Sequence, residues 1–258
     1  GVTLDADLVM NTDTTVSVTG GLNLLAGRTI TMNDTTNNGV ANTVLSFNGT
    51  QTFSGAGTVV FGGTGGVLGG AVRPALAGQT LTIGAGITLD TSTGFGTVGL
   101  TGATVNNEGL IRADAPGQTV TLAGTFNNQA GGLMQVSAGT LTLNGAWANT
   151  NAAVGSLAIS GGVLNLDGTF ASTSLTGLQR TGGTVNLAGA MDNSAGYTLT
   201  DTRGTLNLVT GGAINGGTVS AAAGTSSQLV AITGNTSTLV GVTLDADLVM
   251  NTDTTVSV

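Results

Sequence analysis

Short runs in which apolar and polar residues alternate recur along the chain, each followed by a glycine-rich stretch: TVTL at Thr119, TLTL at Thr140, VLNL at Val163, TVNL at Thr184 and TLNL at Thr205. Alternation of period two marks a β-strand with one buried face. Val120, Leu122, Leu141, Leu143, Leu164, Leu166, Val185 and Leu187 are therefore expected to point inward, and the intervening Thr and Asn outward. Abundant Thr and Val favour strand. Gly or Thr interrupts every window of helical length, so no helix is expected.

The five runs start 21, 23, 21 and 21 residues apart, and other positions keep the same phase. Gly124, Gly145, Gly168 and Gly189 follow the strand by two residues, Phe126, Trp147, Phe170 and Met191 by four, and Asn128, Asn149, Ser172 and Asn193 by six. After the fifth run those offsets hold Thr210, Gly212 and Ile214, so the three columns are expected to end there. Columns in register arise when each segment wraps once around an axis and lies on the segment before it, with strands ~4.8 Å apart. The expected fold is all-β, a parallel β-helix or β-solenoid. The first column then supplies corner glycines, the second a structural core stack, and the third a ladder of hydrogen-bonded Asn and Ser side chains. The chirality of parallel crossovers predicts a right-handed coil.

Looser versions of the run occur as GLNL at Gly21, VLSF at Val44, TVVF at Thr58, TLTI at Thr80, TVGL at Thr97 and LVAI at Leu229. The stretch from Gly62 to Gly78, which holds one of two prolines, breaks the pattern and is expected to form a long turn or bulging corner.

Residues Gly1 to Val18, GVTLDADLVMNTDTTVSV, return letter for letter as Gly241 to Val258. Packing alone would let outward positions such as Asn11 and Thr14 drift, so the identity points to tandem duplication. Residues 1–240 read as one full period and 241–258 as the start of the next, with no domain boundary between them. At about 22 residues per coil a period holds about 11 coils and advances on the order of 50 Å. The end segments, with Val2, Leu4, Leu8 and Val9, show no capping pattern, and copies are expected to stack head to tail.

Composition narrows the chemistry. The chain has a net charge of −8, 7% charged residues, no Cys and no His. All five basic residues are Arg: Arg28, Arg73, Arg112, Arg180 and Arg203. Dispersed arginines cannot neutralise a phosphate backbone, which excludes nucleic acid as the expected partner. No apolar run approaches the ~20 residues of a spanning helix, so membrane insertion by this segment is not expected. Acid–base catalysis wants clustered carboxylates, Lys or His, but Glu108 is the sole Glu and no catalytic residue is expected. The chain is read as a non-enzyme without cofactor or metal.

The densest acidic group, Asp5, Asp7 and Asp13, recurs as Asp245, Asp247 and Asp253. Two carboxylates on one strand fall short of the six to eight oxygens that calcium takes, and a solvated face is the better reading. Gly94 to Gly99 fits G-x-G-x-x-G, but LTGATVNNEG after it cannot supply the required helix. Glycosylation-type triplets at Asn33, Asn48 and Asn235 are expected by chance in a chain rich in Asn and Thr. Thr-x-Thr pairs at Thr29, Thr80, Thr119 and Thr140 give way to Asn in later coils and form no continuous ice-ordering array.

Segments such as GGTVNLAGAMDN, GTFNNQAGG, TLTIGAGITL and GVTLDADL resemble the repeats of large bacterial surface proteins, the filamentous-haemagglutinin and autotransporter-passenger type of exported β-solenoid. The resemblance implies display at the bacterial cell surface as an extracellular fibre, adhesin or surface layer, and carries over no catalytic residue. The expected partners are neighbouring copies of the same repeat, with surface glycans as a second class. An adhesin rod is the alternative function, and a polysaccharide-active β-helix enzyme ranks last.

Overall fold

In the first coil, strands Val2–Leu4, Leu8–Asn11 and Thr15–Val18 follow one another around an axis, and the second coil, Leu22–Leu24, Thr29–Asn33 and Thr43–Phe47, lies on them strand for strand. The computed structural model describes residues 1–35, 43–64 and 69–258. Over these residues every strand pairing is parallel, and the chain forms a β-solenoid of about 11 turns. Each turn lays one strand on each of three faces, which we number in the order met by the first coil.

The strands Gly96–Asn107 and Thr119–Asn128 each bend around a corner. Each serves the third face of one coil and the first face of the next, which joins those faces into one 21-stranded sheet. The second face comprises an eight-stranded sheet followed by a three-stranded one. The break falls between Leu178–Arg180 and Tyr197–Leu199. The one helical turn among the described residues, a 3-10 turn at Ser172–Leu175, precedes that break.

The interior is a set of vertical apolar columns, because parallel strands in register place every inward residue over its counterpart. On the second face Ile30, Val59, Leu89, Ile111, Met134, Leu157 and Leu178 lie one over another. On the third, Leu122, Leu143, Leu166, Leu187 and Leu208 do the same. All of these side chains are buried. Burial of each Leu or Ile contributes about 1.5–3 kcal/mol, and each coil shares that contact with both neighbours.

The Gly62 to Gly78 stretch departs from expectation. Residues 65–68 lie outside the described residues, but Gly70–Pro74 is a third-face strand and not a turn. Val72 is fully buried between Leu45 and Val98 in the same column. Pro74 ends the strand, where its missing N–H costs no ladder bond. The G-x-G-x-x-G glycines serve packing in the same region: a Cβ on Gly94 would stand 2.0 Å from the Gly62 carbonyl oxygen, and one on Gly96 would stand 2.3 Å from the Phe61 ring.

Candidate functional site

The features singled out in the sequence are structural ones, and they cluster on and beneath the first face. Phe126 pairs with Trp147 across adjacent coils, and Phe170 with Met191. Between these pairs the Trp147 and Phe170 rings stack with centroids 4.3 Å apart and planes inclined by 23°. All four side chains belong to one buried cluster. The Trp147 indole Nε1 donates to the Asp167 carbonyl at 3.1 Å, so its polar edge is satisfied at the corner. The column does not end where the offsets suggested. Val105 precedes Phe126, and Ile214 and Leu239 follow Met191. The linker ahead of Ile214 holds two more residues than its counterparts, which moves Ile214 out of the expected offset while leaving it in the column.

The glycine column is equally direct. A Cβ on Gly145 would stand 2.2 Å from the Gly124 carbonyl oxygen, one on Gly168 1.9 Å from that of Gly145, and one on Gly189 2.3 Å from that of Gly168. Each corner therefore rests on the backbone of the corner below, at a distance that excludes any side chain. Gly124, Gly145 and Gly168 also adopt positive φ, whereas Gly189 does not and is required for close approach alone.

The polar ladder differs from the sequence expectation in its membership. Asn107 Nδ2 donates to Asn128 Oδ1 at 2.7 Å, and Asn128 Nδ2 donates to Asn149 Oδ1 at 2.9 Å. Asn149 Nδ2 then donates to Ser156 Oγ at 3.0 Å, which in turn donates to the Asn151 carbonyl at 2.6 Å. The ladder thus begins one coil earlier than expected and turns aside after Asn149. Ser172 and Asn193 are not in it: the buried Ser172 Oγ has no hydrogen-bond partner, and Asn193 Nδ2 donates to the carbonyls of Gly216 at 3.0 Å and Thr218 at 3.2 Å. A serine side chain is too short to bridge two coils, and Ser156 intercepts the chain of amides first.

A second ladder stands outside on the third face. Asn186 donates to Asn165 at 3.0 Å and Asn207 to Asn186 at 3.2 Å, continued by Asn165 to Thr142 at 3.3 Å. The aligned Asn of VLNL, TVNL and TLNL was its signal in the sequence.

The charged residues meet in pairs rather than in a site. Arg28 bridges to Asp5 at 2.9 Å, and Asp7 Oδ1 accepts from the Thr29 backbone N–H at 2.9 Å. Arg112 lies between Asp90, with which it makes a close contact, and Asp114 at 3.1 Å. Burial pushes the Asp90 carboxyl up despite that arginine, and raises Asp167 as well. Asp201 is held low by the Thr225 hydroxyl at 2.7 Å and the Ser226 N–H at 3.0 Å. Burial pushes the Tyr197 phenol up to about 12, and the Arg203 guanidinium sits over its ring at 5.5 Å. Among the described residues no three His, Cys, Asp or Glu side chains converge on a point where a metal ion would sit. No helix among them is long and apolar enough to cross a membrane.

Comparison with protein-family models, with curated proteins and with solved structures returns no match. The fold itself therefore defines what can be said of class: a three-sided parallel β-solenoid with a tandem sequence repeat.

Proposed function

We propose that this chain is a structural repeat of an extracellular or cell-surface bacterial fibre or stalk, built from head-to-tail periods of one continuous solenoid. One observation carries the reading. The 18-residue segment found twice in the chain forms three strands both times, and the two positive-φ non-glycine residues among the described residues fall at its equivalent positions, Asp13 at 60° and Asp253 at 57°. In one place the segment supports the coil that follows it, and in the other it rests on the coil that precedes it. Joined, the two contacts describe an uninterrupted winding in which the same sequence fits above and below.

Such a winding suits a load-bearing spacer. Backbone hydrogen bonds run along the axis on three faces, apolar columns lock each coil to its neighbours, and added length needs no new contact. The partner in this reading is a neighbouring copy of the same repeat. Placement at the bacterial surface rests on the resemblance of the repeats, and the reading assigns no catalytic residue.

Electron microscopy and fibre diffraction of the native assembly test it. The expected result is a thin filament with an axial spacing near ~4.8 Å and a period on the order of 50 Å. Compact isolated particles would refute it.

A further inference from the structure

The two copies of the repeated segment stand on different faces. Val2–Leu4 lies on the first face against Leu22–Leu24, whereas its copy, residues 242–244, falls on the second, in the strand Thr243–Asp245 that pairs with Thr218–Ala221. Leu8–Asn11 is on the second face and Leu248–Met250 on the third; Thr15–Val18 is on the third and Thr255–Ser257 on the first. Leu8 and Val16 pack on the core in one copy, as Leu248 and Val256 do in the other, whereas Leu4 packs on it only in the first copy and Val242 and Ala246 only in the second. The cause is a count. Ten full coils and one further strand separate the copies, so the sequence period is not a whole number of turns.

We propose that the open edge formed by Thr243–Asp245, Leu248–Met250 and Thr255–Ser257 is a docking surface for the following period's copy of Leu22–Leu24, Thr29–Asn33 and Thr43–Phe47. Each period is thereby turned by one face, a third of a revolution, relative to the one before. The proposal rests on the fibre reading and adds the identity and orientation of the partner. The first copy of the segment already holds that occupant, in a stated register: Val2 to Leu22, Leu8 to Ile30, Met10 to Met32 and Val16 to Leu45.

What the second copy lacks is what this occupant supplies. Met10 is fully buried beside Met32, whereas the equivalent Met250 is 53% exposed. Asp5 takes Arg28 and Asp7 takes the Thr29 N–H, while no ion pair among the described residues involves Asp245 or Asp247. The next Arg28 and Thr29 would complete both. A feature carried by one face, such as the exposed Gln179, then recurs on all three sides of the fibre and returns to its first orientation after three periods. A lateral partner meets it from any direction, at steps on the order of 50 Å along the axis.

The test is the full chain extended to three consecutive periods, with Gln179→Cys in each. The chain has no other cysteine, so biotin–maleimide labels each period once and bound streptavidin marks its direction in cryo-electron micrographs. The expected result is one rod with labels leaving it on three sides, successive labels a third of a turn apart. A continuous rod with all labels on one side would overturn the rotation and leave the fibre reading standing. Separate beads, one per period, would overturn the docking surface, and particles that are not rods would overturn the fibre reading with it. Gln135→Cys, also outward on the second face, must give the same rotation.

Discussion

Replacing Asn128 with Ala tests the buried ladder where it is most constrained. Asn128 is fully buried, accepts from Asn107 at 2.7 Å, and donates to Asn149 at 2.9 Å and to the Gly132 carbonyl at 2.9 Å. The three partners are not left equally exposed by its removal. Asn107 Nδ2 keeps the Gly109 carbonyl at 3.2 Å, and the Gly132 carbonyl keeps Asn151 Nδ2 at 2.9 Å. Asn149 Oδ1 loses the donor it has from Asn128, and Asn149 is largely buried. One stranded buried acceptor costs about 1–3 kcal/mol, and the lost net value of the bonds with the small cavity brings the total to about 2–4 kcal/mol. Asn149→Ala should cost less, because Asn149 is slightly exposed and ends the ladder. The assay is a double-mutant cycle by urea unfolding, with amide exchange of the coils carrying residues 107, 128 and 149 as a local readout, since solenoids can lose all-or-none behaviour. A coupling of about 0.5–3 kcal/mol between Asn128 and Asn149 is expected for residues in one network. Additive effects, within about 0.3–0.5 kcal/mol, would refute the ladder as a cooperative unit.

Gly145→Ala should be far more damaging than Gly234→Ala. Both glycines have positive φ, but only at Gly145 would the new Cβ stand 2.2 Å from a carbonyl oxygen, so Gly234→Ala should cost about 1–2 kcal/mol of conformational strain and Gly145→Ala clearly more, measured by thermal melts of the two variants. Trp147→Phe and Trp147→Ala separate packing from the indole hydrogen bond; the alanine variant should lose about 3–5 kcal/mol and the phenylalanine variant less. In the wild type the sole tryptophan should report unfolding of its own coil by a red shift of emission. Asp167, raised by burial, binds its proton more tightly folded than unfolded, so the stability it contributes is complete below 3.8 and lost as pH rises through its folded value. Asp167→Asn should therefore raise the urea midpoint at neutral pH and leave it unchanged below 3.8. Asp201 is lowered and has the opposite sign: its contribution is present above 3.8 and lost as pH falls below it, so Asp201→Asn should lower the midpoint at neutral pH and lose that effect in acid.

The glycine corners and the Asn ladders both govern how one coil meets the next, and they share a physical basis. The glycine column lets backbone rest on backbone at the corners, and the Asn ladders satisfy amides along the axis. A single substitution in either is felt by two interfaces at once. That makes the solenoid interior less tolerant than its low sequence complexity implies.

The strands from Thr119 onward were legible in the sequence because each coil there has nearly constant length, so like residues fall at like offsets and period-two alternation separates inside from outside. The same logic identified Phe126, Trp147, Phe170 and Met191 as one family of positions, and Gly124, Gly145, Gly168 and Gly189 as another. Where coil length varies, offsets mislead: Ile214 belongs to the apolar column although it is displaced by two residues, and Gly70–Pro74 is a strand inside a stretch that looks like a turn. Only the folded chain decided that the amide ladder starts at Asn107 and ends on Ser156, because that depends on which side chains reach across one coil spacing. It alone decided the pairing of Arg112 with Asp90, which lies on the neighbouring strand, while Asp114 follows Arg112 by two residues. The face on which each copy of GVTLDADLVMNTDTTVSV stands was likewise beyond sequence reading: identical residues form three strands and the same turn, but their direction around the axis is set by the total number of strands wound before them.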